Sequence, residues 1–278
     1  MSERRTEIPE AIKREVRQRC GFGCVICGIP IYEYDHIVPH SAVGLHETEN
    51  LTLLCPTHHA EKTRHLLPEA MVRLHNSSPR NLVGGQTAPH PFHYASNNAS
   101  IEIGGNSVIL QNATASALKI DDLEIVGFEL VDESLLLNLE IRGADGLPIL
   151  KVVRSEMIHS THAWDYKFSG RRLTIRRGPR DVLCQIVFDT IQNRVVFEGG
   201  SFSHNGIDLL VSQHAMCILN NRMLLSGNAF AGTSTAIQIG EPAVGRTSVA
   251  IGVKIDRAPY DRHSARLWAR REMRKNLS

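Results

Sequence analysis

Three stretches near the start of the chain decide its fold: C-V-I-C at residues 24–27, Y-D-H-I-V-P at residues 34–39 and E-N-L-T-L-L-C-P-T-H-H-A-E-K-T at residues 49–63. Two residues separate Cys24 from Cys27, and the same spacing recurs between Cys55 and His58. Free cysteines are also commonly buried without a metal, but two matched pairs are typical of one tetrahedral ion. The spacing therefore predicts a structural Cys3His zinc site that stabilises a small module.

A second set of polar residues is interleaved with these four. Asp35 and His36 end a short apolar and aromatic run that indicates a strand, and His59 begins a helical pattern. If the zinc fixes both ends of the intervening loop, which Asn50 closes, Asp35 and His59 face each other. An oxygen and an imidazole nitrogen suit Mg, Mn or a similar ion, and His36 would then point at the attacking water.

The order D-H, then N, then H beside the last zinc ligand, followed by K-T, resembles the HNH endonuclease family of the ββα-metal superfamily. The resemblance covers about residues 8–75. It implies that His36 is the general base, that Asp35 and His59 bind a catalytic Mg, Mn or Ni ion, and that Asn50 orients His36 through the loop.

The chain departs from the family pattern at two positions. His58 stands where many members have a cysteine, which leaves a tetrahedral zinc site intact because imidazole is an ordinary zinc ligand. Thr63 stands where some members carry a further metal-binding His or Asn, so two protein ligands remain for the catalytic ion.

The chemistry of phosphodiester hydrolysis accounts for these residue types. It needs a base whose pKa is near neutral, as that of histidine is, and a cation that stabilises the charge of the transition state. Lys62 is a candidate phosphate contact, and a solvated lysine is the alternative. His40 and His46 are interpreted as loop polars or phosphate contacts rather than metal ligands.

Length and composition predict two domains. The chain has 278 residues, of which 42% are hydrophobic and 22% charged, enough for one sizeable domain beside a small one. We expect an HNH domain at residues 1–78, a Pro-, Gly-, Ser- and Asn-rich linker at residues 79–100 and a second domain at residues 101–278. No apolar run predicts a membrane span or a signal peptide, so a cytoplasmic location is expected.

After residue 100 the pattern changes to short β-type segments bounded by turn residues. The predicted strands cover residues 101–103, 123–130, 135–141, 149–153, 173–175, 182–188, 195–197, 207–211, 236–239 and 249–255. The fold class is therefore α+β, a ββα-metal module followed by an all-β domain. A two-sheet sandwich is favoured, with a short parallel β-helix over residues 207–240 as the alternative.

The basic excess is C-terminal, since residues 254–278 carry eight Lys or Arg and three Asp or Glu. Residues 262–275 indicate a basic helix, and residues 171–180 indicate a basic strand that enters a turn. Both could contact phosphates, with a solvated face as the alternative for each. The candidate contacts on the strand are Arg171, Arg172, Arg176 and Arg177.

The sequence thus favours a metal-dependent endonuclease acting on nucleic acid, DNA before RNA, in restriction or phage defence. The alternative is a zinc-stabilised nucleic-acid-binding module without cleavage. Retention of Asp35, His36 and His59 favours the enzyme. No membrane partner is expected, and the β domain is the predicted route to a homo-oligomer. We also expect cleavage to survive removal of the β domain.

Overall fold

The computed structural model forms two compact units. One comprises Met1–His90 together with Ile158–Lys167, and the other comprises Pro91–Met157 together with Phe168–Ser278. The division at residue 90 falls inside the segment predicted to be a linker. The structure describes residues 7–39, 46–94, 99–111, 113–132, 134–143, 145–241 and 248–276.

The first unit contains a β-β-α arrangement preceded by one helix and followed by two. Its elements are α1 (Glu10–Arg19), β1 (Glu33–His36), β2 (Leu51–Leu54), α2 (Pro56–Thr63), α3 (Glu69–Ser77) and α4 (Arg80–Gly84). β1 and β2 pair antiparallel, with Asp35 opposite Thr52 and His36 opposite Leu51. α1 and α3 each begin directly after a proline, Pro9 and Pro68.

The core of this unit surrounds β2. All four of its residues are buried, and Leu51, Leu53 and Leu54 pack with Val16 and Cys20 of the α1 region. Burial raises the pKa of the Cys20 thiol to about 11, so it behaves as a small apolar side chain.

The turn after the C-x-x-C pair is held by backbone contacts. Gly28 has a φ of +79°, and a Cβ there would collide with Asn81. The buried Asn81 amide donates to the carbonyls of Gly21 and Gly28. The start of the segment predicted as a linker therefore packs on the turn that carries Cys24 and Cys27.

Residues 158–167, far along the chain, complete the first unit. Asp165 accepts two hydrogen bonds of 2.8 Å from Arg17, whose side chain is 1% exposed. Arg17 also donates to Tyr34 Oη in β1 and to Glu10. Burial opposes the charge on Arg17, but the hydrogen bonds and electrostatic interactions with Asp165 and Tyr34 together outweigh it and raise the pKa of the guanidinium. This network joins α1 to the strand that carries Asp35 and His36.

The remaining strands are short and lie mostly in the second unit: β3 (His90–Pro91), β4 (Ser100–Ile103), β5 (Asn106–Ile109), β6 (Thr114–Ile120), β7 (Leu123–Val131), β8 (Ser134–Arg142), β9 (Pro148–Val153), β10 (Glu156–His159), β11 (Asp165–Ser169), β12 (Arg172–Gly178), β13 (Asp181–Asp189), β14 (Arg194–His204), β15 (Ile207–Ser212), β16 (Met216–Ile218), β17 (Met223–Leu225), β18 (Ala229–Ala231), β19 (Thr235–Ile239) and β20 (Val249–Val253). All ten strands predicted from the sequence are among them.

These strands form two open sheets. One has eight strands in the order β20-β19-β6-β7-β8-β9-β10-β3, and the other follows β11 to β17 in chain order with β4, β5 and β18 attached. Most neighbours are antiparallel, and alternate residues of β8 are buried, as expected of a sheet with one covered face. Residues 207–225 form an antiparallel meander, β15-β16-β17, which favours the sandwich over the β-helix alternative.

A final helix, α5 (Arg262–Lys275), packs on β16 and its neighbours through Ala265, Ala269 and Met273. The Asp261 side chain caps its N-terminus by accepting from two backbone N–H groups. The fold is thus α+β, with few helices and many strands. Among the described helices, none is long and apolar enough to cross a membrane.

Candidate nuclease centre

Cys24, Cys27, Cys55 and His58 converge in the first unit. Their ligand atoms all lie within 4.8 Å of one another. His58 Nδ1 is 3.3 Å from Cys24 Sγ and 3.2 Å from Cys55 Sγ, and Cys27 Sγ is 3.7 Å from Cys55 Sγ. Zinc–ligand bonds of about 2.0–2.3 Å give tetrahedral edges of roughly 3.4–3.8 Å, so the observed spacing fits one zinc ion.

The environment of the cluster favours the thiolate form at one of its cysteines, Cys24. A hydrogen bond from Cys27 lowers the pKa of the Cys24 thiol to about 4, and the same contact raises the pKa of Cys27. Cys24 and Cys55 are buried. The N-terminus of α2 begins with Pro56 directly after Cys55, so the helix directs His58 back towards the thiols. Four protein ligands would close the coordination shell, as in structural zinc sites.

His59, the next residue of α2, contacts a different set of side chains. His59 Nε2 lies 3.5 Å from Asp35 Oδ1 on β1, and His59 Nδ1 lies 3.0 Å from Glu33 Oε2. Asp35 and Glu33 are two residues apart on one strand, so their side chains leave the same face. The imidazole is therefore held between two carboxylates.

Lys62 lies one helical turn beyond His59 and reaches the same carboxylate. Its Nζ is 2.6 Å from Asp35 Oδ2 and donates to the His36 carbonyl at 2.5 Å. The ammonium is therefore paired within the site. The contact between Lys62 and a substrate phosphate, expected from the sequence, stays a prediction.

His36 ends β1 on the rim of the same groove. Its Nε2 is 3.1 Å from His46 Nδ1, and the two rings lie 5.2 Å apart. The buried Asn50 side chain accepts from Val38 N and donates to Val38 O, at 2.8 and 3.0 Å. Asn50 thus holds the backbone two residues after His36, and its role in orienting His36 stays a prediction. His40 lies outside the described residues.

These side chains line an open groove of about 760 Å³ between β1, α2 and the start of α3. The carboxylate oxygen of Asp35 and the imidazole nitrogen of His59 are close enough to contact one hard divalent ion, and they are the donor types that such ions accept. The residues present therefore fit a catalytic ion with two protein ligands. Thr63 lines the groove, and its hydroxyl donates to the His59 carbonyl.

The arginines of the predicted basic strand lie elsewhere, in the second unit, and three of the four are paired. Arg171 contacts Asp189, Arg172 forms a two-pronged contact with Glu198, and Arg177 forms one with Asp181. For Arg176 there is no ion pair within the described part of the chain. Their contact with nucleic acid stays a prediction.

Sequence reasoning missed Glu33 and the contact between His46 and His36. Glu33 could have been found from the sequence, because it lies two residues before Asp35 and alternate residues share one face of a strand. For His46 no local pattern gave a signal, since the loop path determines where its ring lies.

No curated protein and no solved structure matches this chain. The second unit likewise has no family match. The HNH endonuclease family model matches residues 18–65. This segment contains the four residues that could bind zinc as well as Asp35, His36, Asn50 and His59, and the match identifies it as an HNH endonuclease domain.

Proposed function

We propose that the protein is a divalent-metal-dependent endonuclease that hydrolyses phosphodiester bonds of nucleic acid, with DNA favoured over RNA. The observation that carries this proposal is the convergence of His36, Asp35 and His59 on one open groove of a β-β-α unit. A zinc-binding module without a catalytic role would not need these side chains beside an open groove.

In this proposal His36 accepts a proton from the attacking water. Histidine suits this role because its ordinary pKa is close to neutral. The clamp that Asn50 forms on Val38 fixes the chain after His36, and the donation from Lys62 fixes the His36 carbonyl. Both contacts restrict the imidazole to a narrow range of positions at the groove.

Asp35 and His59 would hold the catalytic ion, for which Mg, Mn and Ni are the candidates. A bound ion supplies positive charge that stabilises the charge developing on the phosphate and the leaving oxygen. Glu33 contacts the opposite ring nitrogen of His59 and so keeps Nε2 turned towards Asp35. The protein therefore orients this ligand before the ion arrives.

The second unit supports a more specific proposal for the biological role of the nuclease. A large β unit accompanying a small nuclease domain fits the selection of a target, and we place the activity in restriction or phage defence on this basis and on the resemblance. Self-association through this unit is part of the same proposal. Cys20, Cys184 and Cys217 lie outside the zinc cluster and are free thiols, which supports a cytoplasmic location.

The test is cleavage by the full chain of duplex and single-stranded DNA and RNA, with Mg, Mn or Ni. We expect His36→Ala to reduce the rate by a factor of about 100 or more, because general-base loss typically costs this much. His75→Ala, on α3 and outside the groove, is the matched control and should cleave as the unchanged protein does. Full activity of His36→Ala would contradict the assignment of the base.

The alternative function, nucleic-acid binding without cleavage, predicts a different pattern. Both histidine variants would then bind as the unchanged protein does, and no combination of substrate and metal would yield products. The proposed endonuclease requires products that depend on His36 and on the added divalent ion.

A further inference from the structure

The exposed side of helix α5 carries arginines that the described carboxylates do not neutralise. Arg262 at its start pairs with Asp208, and Lys275 at its end pairs with Glu272. Between them lie four exposed arginines without an ion pair to any described residue: Arg266, Arg270, Arg271 and Arg274. Arg266 interacts electrostatically with Asp181 without forming an ion pair, so this part of the helix retains a net positive charge.

Three of these arginines form a stripe. Arg266, Arg270 and Arg274 are spaced four residues apart and so share one face of the helix. At a rise of about 1.5 Å per residue the stripe extends for about 12 Å. The helix is anchored by Ala265, Ala269 and Met273, which are buried against β16 and its neighbours. The stripe is thus presented by a fixed helix rather than by a loose tail.

The stripe borders a groove of about 200 Å³ between α5 and the sheet. Arg266 and Arg270 form one wall, Arg180 lies at the turn between β12 and β13, and the floor includes Gly200 and Ser201 of β14. Asp181 also lines the groove, but Arg177 holds it in a two-pronged contact and the pair lowers the pKa of its carboxyl. Positive charge therefore predominates along this groove.

The contrast with β12 shows what is unusual about α5. Arg171 and Arg177 each contact a carboxylate of β13, and Arg172 contacts Glu198 of β14; opposite charges paired in this way are ordinary on a sheet surface. A guanidinium that is already paired has less capacity for a ligand anion. The arginines of α5 have fork-shaped donors available, a geometry that matches phosphate oxygens.

We propose that the α5 face, defined as Arg180, Arg266, Arg270 and Arg274, binds the phosphodiester backbone of nucleic acid. This inference rests on the proposed function, because it gives the second unit a part in holding the substrate of a nuclease. The face recognises charge and spacing of phosphates, which DNA and RNA share. Of the two basic segments that the sequence offered as phosphate contacts, it selects the C-terminal helix over the strand.

The experiment measures binding by the full chain in the His36→Ala background, so that the substrate stays intact. The test variant is Arg266→Gln with Arg270→Gln and Arg274→Gln. The control is Arg73→Gln with Lys151→Gln and Arg154→Gln, which removes the same charge from side chains that are 52–56% exposed and already paired. Substitutions at such exposed sites are expected to leave both variants folded.

Binding to a duplex DNA and to an RNA of equal length is measured between low and physiological salt. Each lost phosphate contact lowers the slope of log affinity against log salt by about 0.9 on B-DNA, so the test variant should lose about 2 to 3 from its slope. The control should keep the slope and the affinity. Tighter binding of DNA or of RNA identifies which of the two supplies the phosphates.

Two results would overturn the inference: an unchanged salt slope in the test variant, or an equal loss in the control. Tight binding of a polyglutamate of the same charge would assign the face to acidic proteins and overturn it as well. The outcome is separable from that of the proposed function. If nucleic acid binds through α5 but the protein with His36 intact never cleaves it, only the proposed function is contradicted. If that protein cleaves but the salt slope of the test variant is unchanged, only this inference is contradicted.

Discussion

Two adjacent histidines on helix α2 belong to different sites, one closed and one open. His58 Nδ1 lies within 3.3 Å of two sulfur atoms in a cluster where Cys24 and Cys55 are buried. His59 Nε2 instead lies 3.5 Å from a carboxylate oxygen at an open groove. One peptide bond separates a closed set of three thiols and one imidazole from an incomplete set of one carboxylate and one imidazole.

The difference shows how one small module can separate stability from chemistry. A closed tetrahedral site leaves no position for substrate and contributes its binding free energy to folding. An open pair of ligands contributes little to folding but leaves space for water and phosphate. The closed site holds α2 against the strands, and this position directs His59 towards Asp35.

Loss of a zinc ligand should have the largest effect. Cys55→Ser is expected to unfold the first unit, because zinc-binding free energies of about 10–16 kcal/mol are folding free energy in such modules. The measurement is zinc content per chain together with amide hydrogen exchange of residues in β2 and α2.

Cys20→Ala is the matched control for this prediction. Cys20 is equally buried in the same core but lies outside the cluster, so its loss should lower stability slightly and leave zinc bound. Protected amides in Cys55→Ser without zinc would show that the module does not need the metal to fold.

Loss of Asp165 should have the next largest effect. Asp165→Ala leaves the Arg17 cation 1% exposed with a weaker set of partners, and breaking such a buried pair costs about 3–5 kcal/mol. We expect the lower end of this range, because Glu10 and Tyr34 still contact Arg17. Chemical denaturation of the zinc-loaded full chain measures the change.

Glu69→Ala provides the comparison, because it removes an exposed i, i+4 pair with Arg73 and should cost about 0.5 kcal/mol or less. Equal effects of the two variants would contradict the structural role of Asp165. The contact of Asp165 with Arg17 also revises the expectation that cleavage survives removal of the β domain, since a fragment without residues 101–278 lacks residues 158–167 of the first unit.

A smaller effect is expected at the open site. Glu33→Gln should weaken binding of the catalytic ion by about 10-fold or more, as loss of a carboxylate behind a ligating histidine typically does. The zinc content and stability should not change, because the Glu33 side chain is 54% exposed. When cleavage is titrated with Mn, the variant should need a higher Mn concentration for half of its maximal rate. An unchanged titration would contradict the role of Glu33 in positioning His59.

The zinc cluster and the β-β-α order could be predicted because their determinants are local. Cys24 and Cys27 define one turn, Cys55 and His58 define another, and the equal spacing within the two pairs makes both visible in the sequence. Strand prediction succeeded for the same reason where apolar residues alternate, as in β8. It missed β6, whose run of small buried residues does not alternate, and it missed three-residue strands such as β16.

Contacts between distant parts of the chain could not be predicted in this way. Arg17 and Asp165 are 148 residues apart, and neither carries a local sign that it will be buried. Pairing of the β12 arginines likewise depends on which strands become neighbours, which alternation alone does not determine. The arginines of α5 were visible as a basic helix, but their lack of carboxylate partners required the structure.

The most direct test of the two-site account follows zinc content and cleavage in one preparation during brief exposure to EDTA. The account predicts that cleavage stops first, while about one zinc per chain remains bound, because a site with four protein ligands releases its ion more slowly than one with two. Added Mg or Mn should then restore cleavage without added zinc. Loss of zinc and cleavage in parallel, or full cleavage by zinc-free protein, would contradict the account.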